Sequence, residues 1–255
     1  MKAYKAYCLD VDGTIYRGEQ SIEHAADFVR RLQDKGIEPF YVTNNASKTQ
    51  AQLCERLANF GITADPECIL SSAITAAKYI HRWYAGKSVY FIGTDAMGEA
   101  LRAEGISCVE RNADIVVTGL DWGISYDKLA QACLDIRNGA TFLSTNRDVA
   151  FPSERGFLPG NGAFTALIST STGVDPIFIG KPESHMLEAI RHEHGFRKDE
   201  MVMVGDNYDT DILAGIRFGI DTIHVNTGVS RMEDVLTKDV PPTWTIENLE
   251  EWEVI

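Results

Sequence analysis

Short apolar runs alternate with helical patterns along most of the chain. Near the start, "AYKAYCLDV" (3–11) and "EPFYVTNN" (38–45) read as buried strands, and "SIEHAADFVRRLQDKG" (21–36) and "TQAQLCERLANFG" (49–61) as helices. Ser47 with Gln50 fits a capping box, which starts a helix just past "VTNN". The same texture returns late as strand "DPIFIG", helix "ESHMLEAIRHEHG", strand "MVMVGD", helix "DTDILAGIRFG" and strand "DTIHVN". Alternation of this kind is the signature of β-α-β units around a parallel sheet, so the expected class is α/β with a Rossmann-like parallel core.

The middle of the chain has a different texture. It carries its own strands ("SVYFIG", "ADIVVTGL", "ATFLST"), its own helix ("SYDKLAQACLDIRNG") and a long turn-rich passage, "TNRDVAFPSERGFLPGNG". It reads as a second α/β domain, 82–173, inserted into a discontinuous core made of 1–81 and 174–255. The tail "PPTWTIENLEEWEVI" reads as a turn followed by a short closing helix.

Composition narrows the function. With 255 residues, 44% apolar and 24% charged, the chain has ordinary globular character and enough length for a full core. The first residues lack a signal-peptide layout, and no apolar run approaches the roughly 18 residues of a membrane helix, so a cytoplasmic protein is expected. The five cysteines are odd in number and scattered, which points to reduced, mostly buried side chains instead of disulfides or zinc. A net charge of −13 without any basic stretch argues against nucleic acid and anionic membranes as partners. A small anionic substrate stays open, because a metal and a few placed bases reverse the field locally.

Open parallel sheets bind ligands at the carboxyl ends of their strands, so the polar residues after each apolar run are the candidates. Four groups stand out: "DVDGT" after the first strand, "TNN" after the second, "GKPES" after "PIF", and "GDNYDTD" after "MVMV". They assemble Asp10, Asp12, Thr43, Lys181, Asp206 and Asp211. Acids this close repel one another unless a cation lies between them or one keeps a proton. An oxygen-only donor set without His or Cys suits Mg²⁺ better than zinc. A calcium EF-hand is a poor alternative, since its glycine and its final bidentate Glu are misplaced in "DVDGTIYRGEQS". The "HEH" at His192 to His194 reads as a solvated surface, because i and i+2 do not share a helix face. The "GNG" at Gly160 to Gly162 reads as a turn before a helix, and no P-loop is present.

"DVDGT", "VTNN", "GKPE" and "VGDNYDTDI", in this order, resemble the four motifs of the haloacid dehalogenase superfamily, and the placement of the middle domain resembles its NagD-type phosphatases. "RNGATFLSTNRD" and "LPGNGAFTALISTSTG" resemble the cap of that group. The resemblance implies Asp10 as nucleophile, forming an aspartyl-phosphate, and Asp12 as general acid and then base. It implies Mg²⁺ on the Asp10 side chain, the Asp12 carbonyl and Asp206, with Asp211 and Asn207 in support. Lys181, Thr43, Asn44, Asn45 and Gly13 would hold the phosphoryl group, and Asn146, Arg147, Asp148 and Arg155 in the cap are candidates for the leaving group. Expected substrates are small phosphomonoesters such as sugar phosphates, phosphoglycolate-like acids or nucleoside monophosphates. A homodimer through the cap is compatible with the resemblance. A phosphotransferase or mutase on the same core, and a phosphometabolite-binding protein without turnover, remain alternatives.

Overall fold

The structure is a computed structural model and describes residues 2–153 and 155–255. Its central sheet has six strands in the order Trp244–Ile246, Asp221–Val225, Met201–Gly205, Ala6–Leu9, Phe40–Thr43 and Ile69–Ser71. Ala6–Leu9 pairs in parallel with both Met201–Gly205 and Phe40–Thr43, in registers such as Leu9 to Val204 and Leu9 to Tyr41. All four residues of Ala6–Leu9 are buried, as befits a strand covered on both faces. Period-two alternation sends Tyr7 and Leu9 to one face, against Phe28, Val29 and Leu32 of helix Ala25–Asp34 and Leu53 and Leu57 of helix Gln50–Asn59. Ala6 and Cys8 face the other way, toward Met186, Leu187 and Ile190 of helix His185–His194 and Ala214 and Phe218 of helix Leu213–Phe218.

By packing, the chain forms two compact units, Met1–Thr43 with Gln50–Leu70 and Lys181–Ile255, and Asn44–Thr49 with Ser71–Gly180. The second unit has its own parallel sheet, ordered Ile177–Phe178, Thr141–Ser144, Ile115–Thr118 and Val89–Ile92. One face packs Ile115, Val117 and Leu143 against Ala73, Ala77, Ile80, Met97 and Leu101; the other packs Val116 and Phe142 against Ala132, Ile136 and Ile168. The turn-rich passage contains an antiparallel pair, Ala150–Ser153 with Gly156–Pro159, followed by helix Asn161–Thr172.

Three sequence expectations change. "DPIFIG" forms a strand, but Ile177 and Phe178 pair with Leu143 and Ser144 of the second sheet, not with the core, because an apolar run specifies a strand without specifying its neighbour. The units part at 43/44, 49/50, 70/71 and 180/181 instead of 81/82 and 173/174, since Asn44–Thr49 packs with the second unit and helix Ser72–Trp83 contributes Ala73, Ala76, Ala77 and Ile80 to its core. The tail is more than a turn and a helix: Trp244–Ile246 adds an edge strand against Asp221–Val225, and Leu249–Glu251 then makes a single 3₁₀ turn. Among the described residues no helix is long and apolar enough to cross a membrane. The cysteines are free; Cys8, Cys68 and Cys133 are buried and Cys108 is exposed.

Candidate active site

The first unit's strands end in a cluster of acids. Asp10 follows Ala6–Leu9 directly, and its N–H continues the ladder by donating to the Val204 carbonyl at 2.8 Å. Asp206 follows the adjacent Met201–Gly205, and Asp211 stands on the wide π turn Tyr208–Ile212 that opens helix Leu213–Phe218. Carboxylate oxygens of Asp10, Asp206 and Asp211 lie within 4.8 Å of one another, the only such group of three metal-ligating side chains among the described residues. The Lys181 ammonium enters this cluster and donates to Asp10 Oδ1 at 2.5 Å and to the Val42 carbonyl at 2.9 Å; it stands 2.7 Å from Asp211 Oδ1. All four side chains are buried.

Close backbone approach makes room for the acids. A Cβ at Gly13, whose φ is +104°, would stand 2.5 Å from Asp206 Oδ2, one at Gly205 would collide with the Asp211 carboxylate, and one at Gly228 would overlap Asp206 Oδ2 outright. Gly228 belongs to a strap that follows strand Asp221–Val225. The Val229 N–H donates to Asp206 Oδ2 at 2.6 Å, the Ser230 N–H donates to the Asp206 carbonyl at 3.1 Å, and the Ser230 Oγ accepts from the Tyr208 N–H at 2.9 Å. Buried His224 holds the strap from beneath, its Nε2 3.0 Å from the Ser230 carbonyl. Thr14 Oγ1 lies between the acids, 3.3 Å from Asp10 Oδ2 and 3.4 Å from Asp206 Oδ1. Sequence reasoning assigns no role to Thr14 or to the strap. A signal for the strap is present, because "NTG" is a further polar group after an apolar run, at the end of "DTIHV".

Burial and the neighbouring Asp211 carboxylate push Asp10 well above the ordinary carboxylate range, against the pull of Lys181. The same two causes raise Asp206 to about 6, opposed by the Val229 N–H. Burial works against a charged Lys181, but the Asp10 and Asp211 carboxylates hold its pKa above the usual lysine value. Three buried carboxylates facing one ammonium leave two negative charges to balance when all are ionised. A divalent cation supplies that charge, and an all-oxygen donor set of this kind fits Mg²⁺.

The remaining residues named from sequence fall into two groups. In the first unit, exposed Asp12 stands three residues past strand Ala6–Leu9, Thr43 is buried at the end of Phe40–Thr43, and the Asn207 side chain accepts from the Asp209 N–H at 3.0 Å, capping the π turn. Asn44, Asn45, Asn146, Arg147 and Asp148 lie together in the second unit. There Asn146 Nδ2 donates to the Asn44 carbonyl at 2.9 Å, its Oδ1 accepts from the Asp148 N–H at 3.2 Å, and Asn45 Oδ1 accepts from Ser47. The Arg147 guanidinium lies 3.8 Å from the centre of the Phe178 ring. "GNG" is not a turn before the helix but its start, with Gly160 at the N-cap and Asn161 and Gly162 as the first helical residues, and it is also a support: Asn161 Nδ2 donates to the Asn146 carbonyl at 2.9 Å, and the Gly162 N–H donates to the Asp148 carbonyl at 2.9 Å. Arg155 is exposed beside the antiparallel pair, and His192 to His194 are exposed at the end of their helix.

Comparison with known proteins places this geometry. A family model described as haloacid dehalogenase-like hydrolase matches residues 7–107, and one described as HAD-hydrolase-like matches 178–252. The chain is 50% identical over 252 residues, 98% of its length and 97% of the relative's, to an acid sugar phosphatase of Staphylococcus aureus. It superposes on a thermostable p-nitrophenylphosphatase of Bacillus stearothermophilus with TM-score 0.92 at 45% identity, covering 100% of both chains. A glycerol phosphate phosphatase of Mycobacterium tuberculosis, solved in complex with magnesium, matches with TM-score 0.90 at 33% identity, covering 98% of this chain and 78% of that one. On this similarity across its length, the chain belongs to the haloacid dehalogenase superfamily, among the NagD-type phosphatases.

Proposed function

We propose that this chain hydrolyses small phosphomonoesters, sugar phosphates among them, with Mg²⁺ and through a phosphorylated Asp10. The observation that carries the reading is the buried cluster of Asp10, Asp206, Asp211 and Lys181, in which Asp10 shares the lysine with Asp211. Asp10, Asp206 and the Asp12 carbonyl would hold Mg²⁺, with Asp211 and Asn207 keeping the site in shape; bound there, the ion supplies charge stabilisation to the transferring phosphoryl group. The Asp10 carboxylate attacks phosphorus, the bond to the leaving oxygen breaks, and Asp12 gives that oxygen its proton. Asp12, now ionised, takes a proton from water as the water attacks the acyl phosphate, which frees phosphate and restores Asp10. Lys181, Thr43 and the backbone at Gly13 and Asn44 orient the phosphoryl oxygens.

The substrate class is supported by the relatives named for acid sugar phosphatase, p-nitrophenylphosphatase and glycerol phosphate phosphatase activity. In this reading the inserted domain is the cap and selects the leaving group through the loop that carries Asn146, Arg147 and Asp148. The cap also forms the homodimer, and the free cysteines fit a cytoplasmic setting. The test is phosphate release from p-nitrophenyl phosphate and a panel of sugar phosphates, with Mg²⁺ or EDTA, for wild type and Asp10→Asn. Release that requires both the metal and Asp10 is expected. Folded, Mg²⁺-supplied protein that releases no phosphate from any ester, or that moves phosphate only to an acceptor alcohol, overturns the reading.

A further inference from the structure

Asp12 stands on a turn whose geometry is set by one residue downstream. The Tyr16 N–H donates to the Val11 carbonyl at 3.2 Å, and the Tyr16 carbonyl accepts from the Gly13 N–H at 2.7 Å, so the two peptide groups of Tyr16 bracket Asp12. Asp12 and Tyr16 also form an isolated bridge. Wherever the Tyr16 backbone goes, the backbone of Asp12 follows.

Tyr16 opens a short hairpin, Tyr16–Arg17 with Gln20–Ser21, too small to hold itself in place by its own pairing. It is held by the burial of Tyr16 in the first unit's core and by a side chain from helix Gln50–Asn59. The Arg56 guanidinium lies 4.5 Å from the centre of the Tyr16 ring and 5.7 Å from that of Phe60, and the two rings stack at 4.8 Å with 24° between their planes. Arg56 Nη2 donates to the Gly18 carbonyl at 2.5 Å, and Nη1 donates to Glu19 Oε1 at 3.2 Å. One planar cation thus holds the ring, the turn carbonyl and an acid of the hairpin at once, a task for which a lysine lacks the fork and the stacking face. On its other side the hairpin is tied by Arg17 to the Thr227 carbonyl, and Thr227 Oγ1 donates to the Gly13 carbonyl at 2.8 Å.

We propose that Arg56 is a positioning residue for Asp12: by clamping Tyr16 and its hairpin to helix Gln50–Asn59, it fixes the turn that aims the Asp12 carboxyl at the leaving oxygen. This rests on the reading of Asp12 as general acid. Arg56 touches none of the reacting groups, so its effect must follow the demand for a proton. A leaving group that departs readily as an anion needs little help, whereas a poor one depends on the acid.

The experiment measures kcat/KM, which includes departure of the leaving group, for p-nitrophenyl phosphate and for phenyl phosphate, a similar ester with a far more basic leaving oxygen. Wild type, Asp12→Asn, Arg56→Ala and Arg56→Lys are compared, with circular dichroism and melting as checks on folding. Asp12→Asn is expected to lose on the order of 10²-fold on phenyl phosphate and much less on the nitro ester. Arg56→Ala is expected to follow the same pattern at about 10-fold against less than about 2-fold, and Arg56→Lys to recover only a small part. Equal losses on both esters, or none, for Arg56→Ala while Asp12→Asn discriminates between them overturn the positioning role alone. If Asp12→Asn does not discriminate, the acid assignment fails and the proposal with it. Should Arg56→Ala not fold, Phe60→Leu removes one side of the stack and carries the same two outcomes.

Discussion

Asp206 shows how single residues set the behaviour of the site. Its carboxyl accepts from the Val229 N–H at 2.6 Å, and Gly228 passes so near that a Cβ there would overlap Oδ2. Gly228→Ala therefore has to push the strap or the acid aside, and it should lower Mg²⁺-dependent hydrolysis by about 10²-fold while the circular dichroism spectrum stays native. Protonation gives a second handle. Burial and the Asp211 carboxylate raise Asp206 to about 6 in the folded chain, above its ordinary unfolded value. Without metal, the folded state retains a proton that the unfolded state has lost, so this group's contribution to stability is present below about pH 4 and declines as pH rises through about 6. Mg²⁺ held by Asp206, as proposed, would replace that proton. The gain in melting temperature on adding Mg²⁺ should accordingly be larger at about pH 7.5 than at about pH 5, and paired melts with Mg²⁺ or EDTA at the two values check it.

At the scale of elements, the terminal segment closes one face of the central sheet. Trp252 is buried against Tyr7 and stacks with Tyr4, its Nε1 donates to the Tyr7 hydroxyl at 3.2 Å, and Arg31 donates to the Leu249 and Trp252 carbonyls at 2.6 Å each. Trp252→Ala should cost about 3–5 kcal/mol in urea unfolding, the range for removing a large buried aromatic side chain. This segment is also the least legible part of the sequence. Trp244–Ile246 is three residues long with a partly exposed tryptophan, too short to display alternation, and its strand identity comes from the neighbour Asp221–Val225. "DPIFIG" misleads differently, since its strand character is readable but its sheet is not. Lys181 is legible nevertheless, because it stands in the polar group "GKPES" directly after that apolar run, whichever sheet the run joins. Asp10 and Asp206 are legible for a general reason: charged residues that end fully apolar strands stand out against the run before them, and Asp211 follows in the polar group "GDNYDTD" after the same strand as Asp206. The strap is visible only as the polar group "NTG"; its contacts with Asp206, like the hold of Arg56 on Tyr16, join segments far apart in sequence and are encoded by no local pattern.

For the whole molecule, the decisive fact is that each unit has its own sheet with apolar packing on both faces. The acids that would hold Mg²⁺ all belong to the first unit, where they connect strands Ala6–Leu9 and Met201–Gly205 to the strap. A ligand stabilises only the openings that destroy its site, by about 2.7 kcal/mol when present at about 100 times its Kd. Openings confined to the second unit leave the acids in place and gain nothing. Amide hydrogen exchange with Mg²⁺ or EDTA should therefore show slower exchange in Ala6–Leu9, Met201–Gly205 and the strap on adding metal, and unchanged exchange in Val89–Ile92, Ile115–Thr118 and Thr141–Ser144. Equal slowing in both sheets would mean that the second unit opens only together with the first, so that the two cores behave as one cooperative structure despite their separate packing.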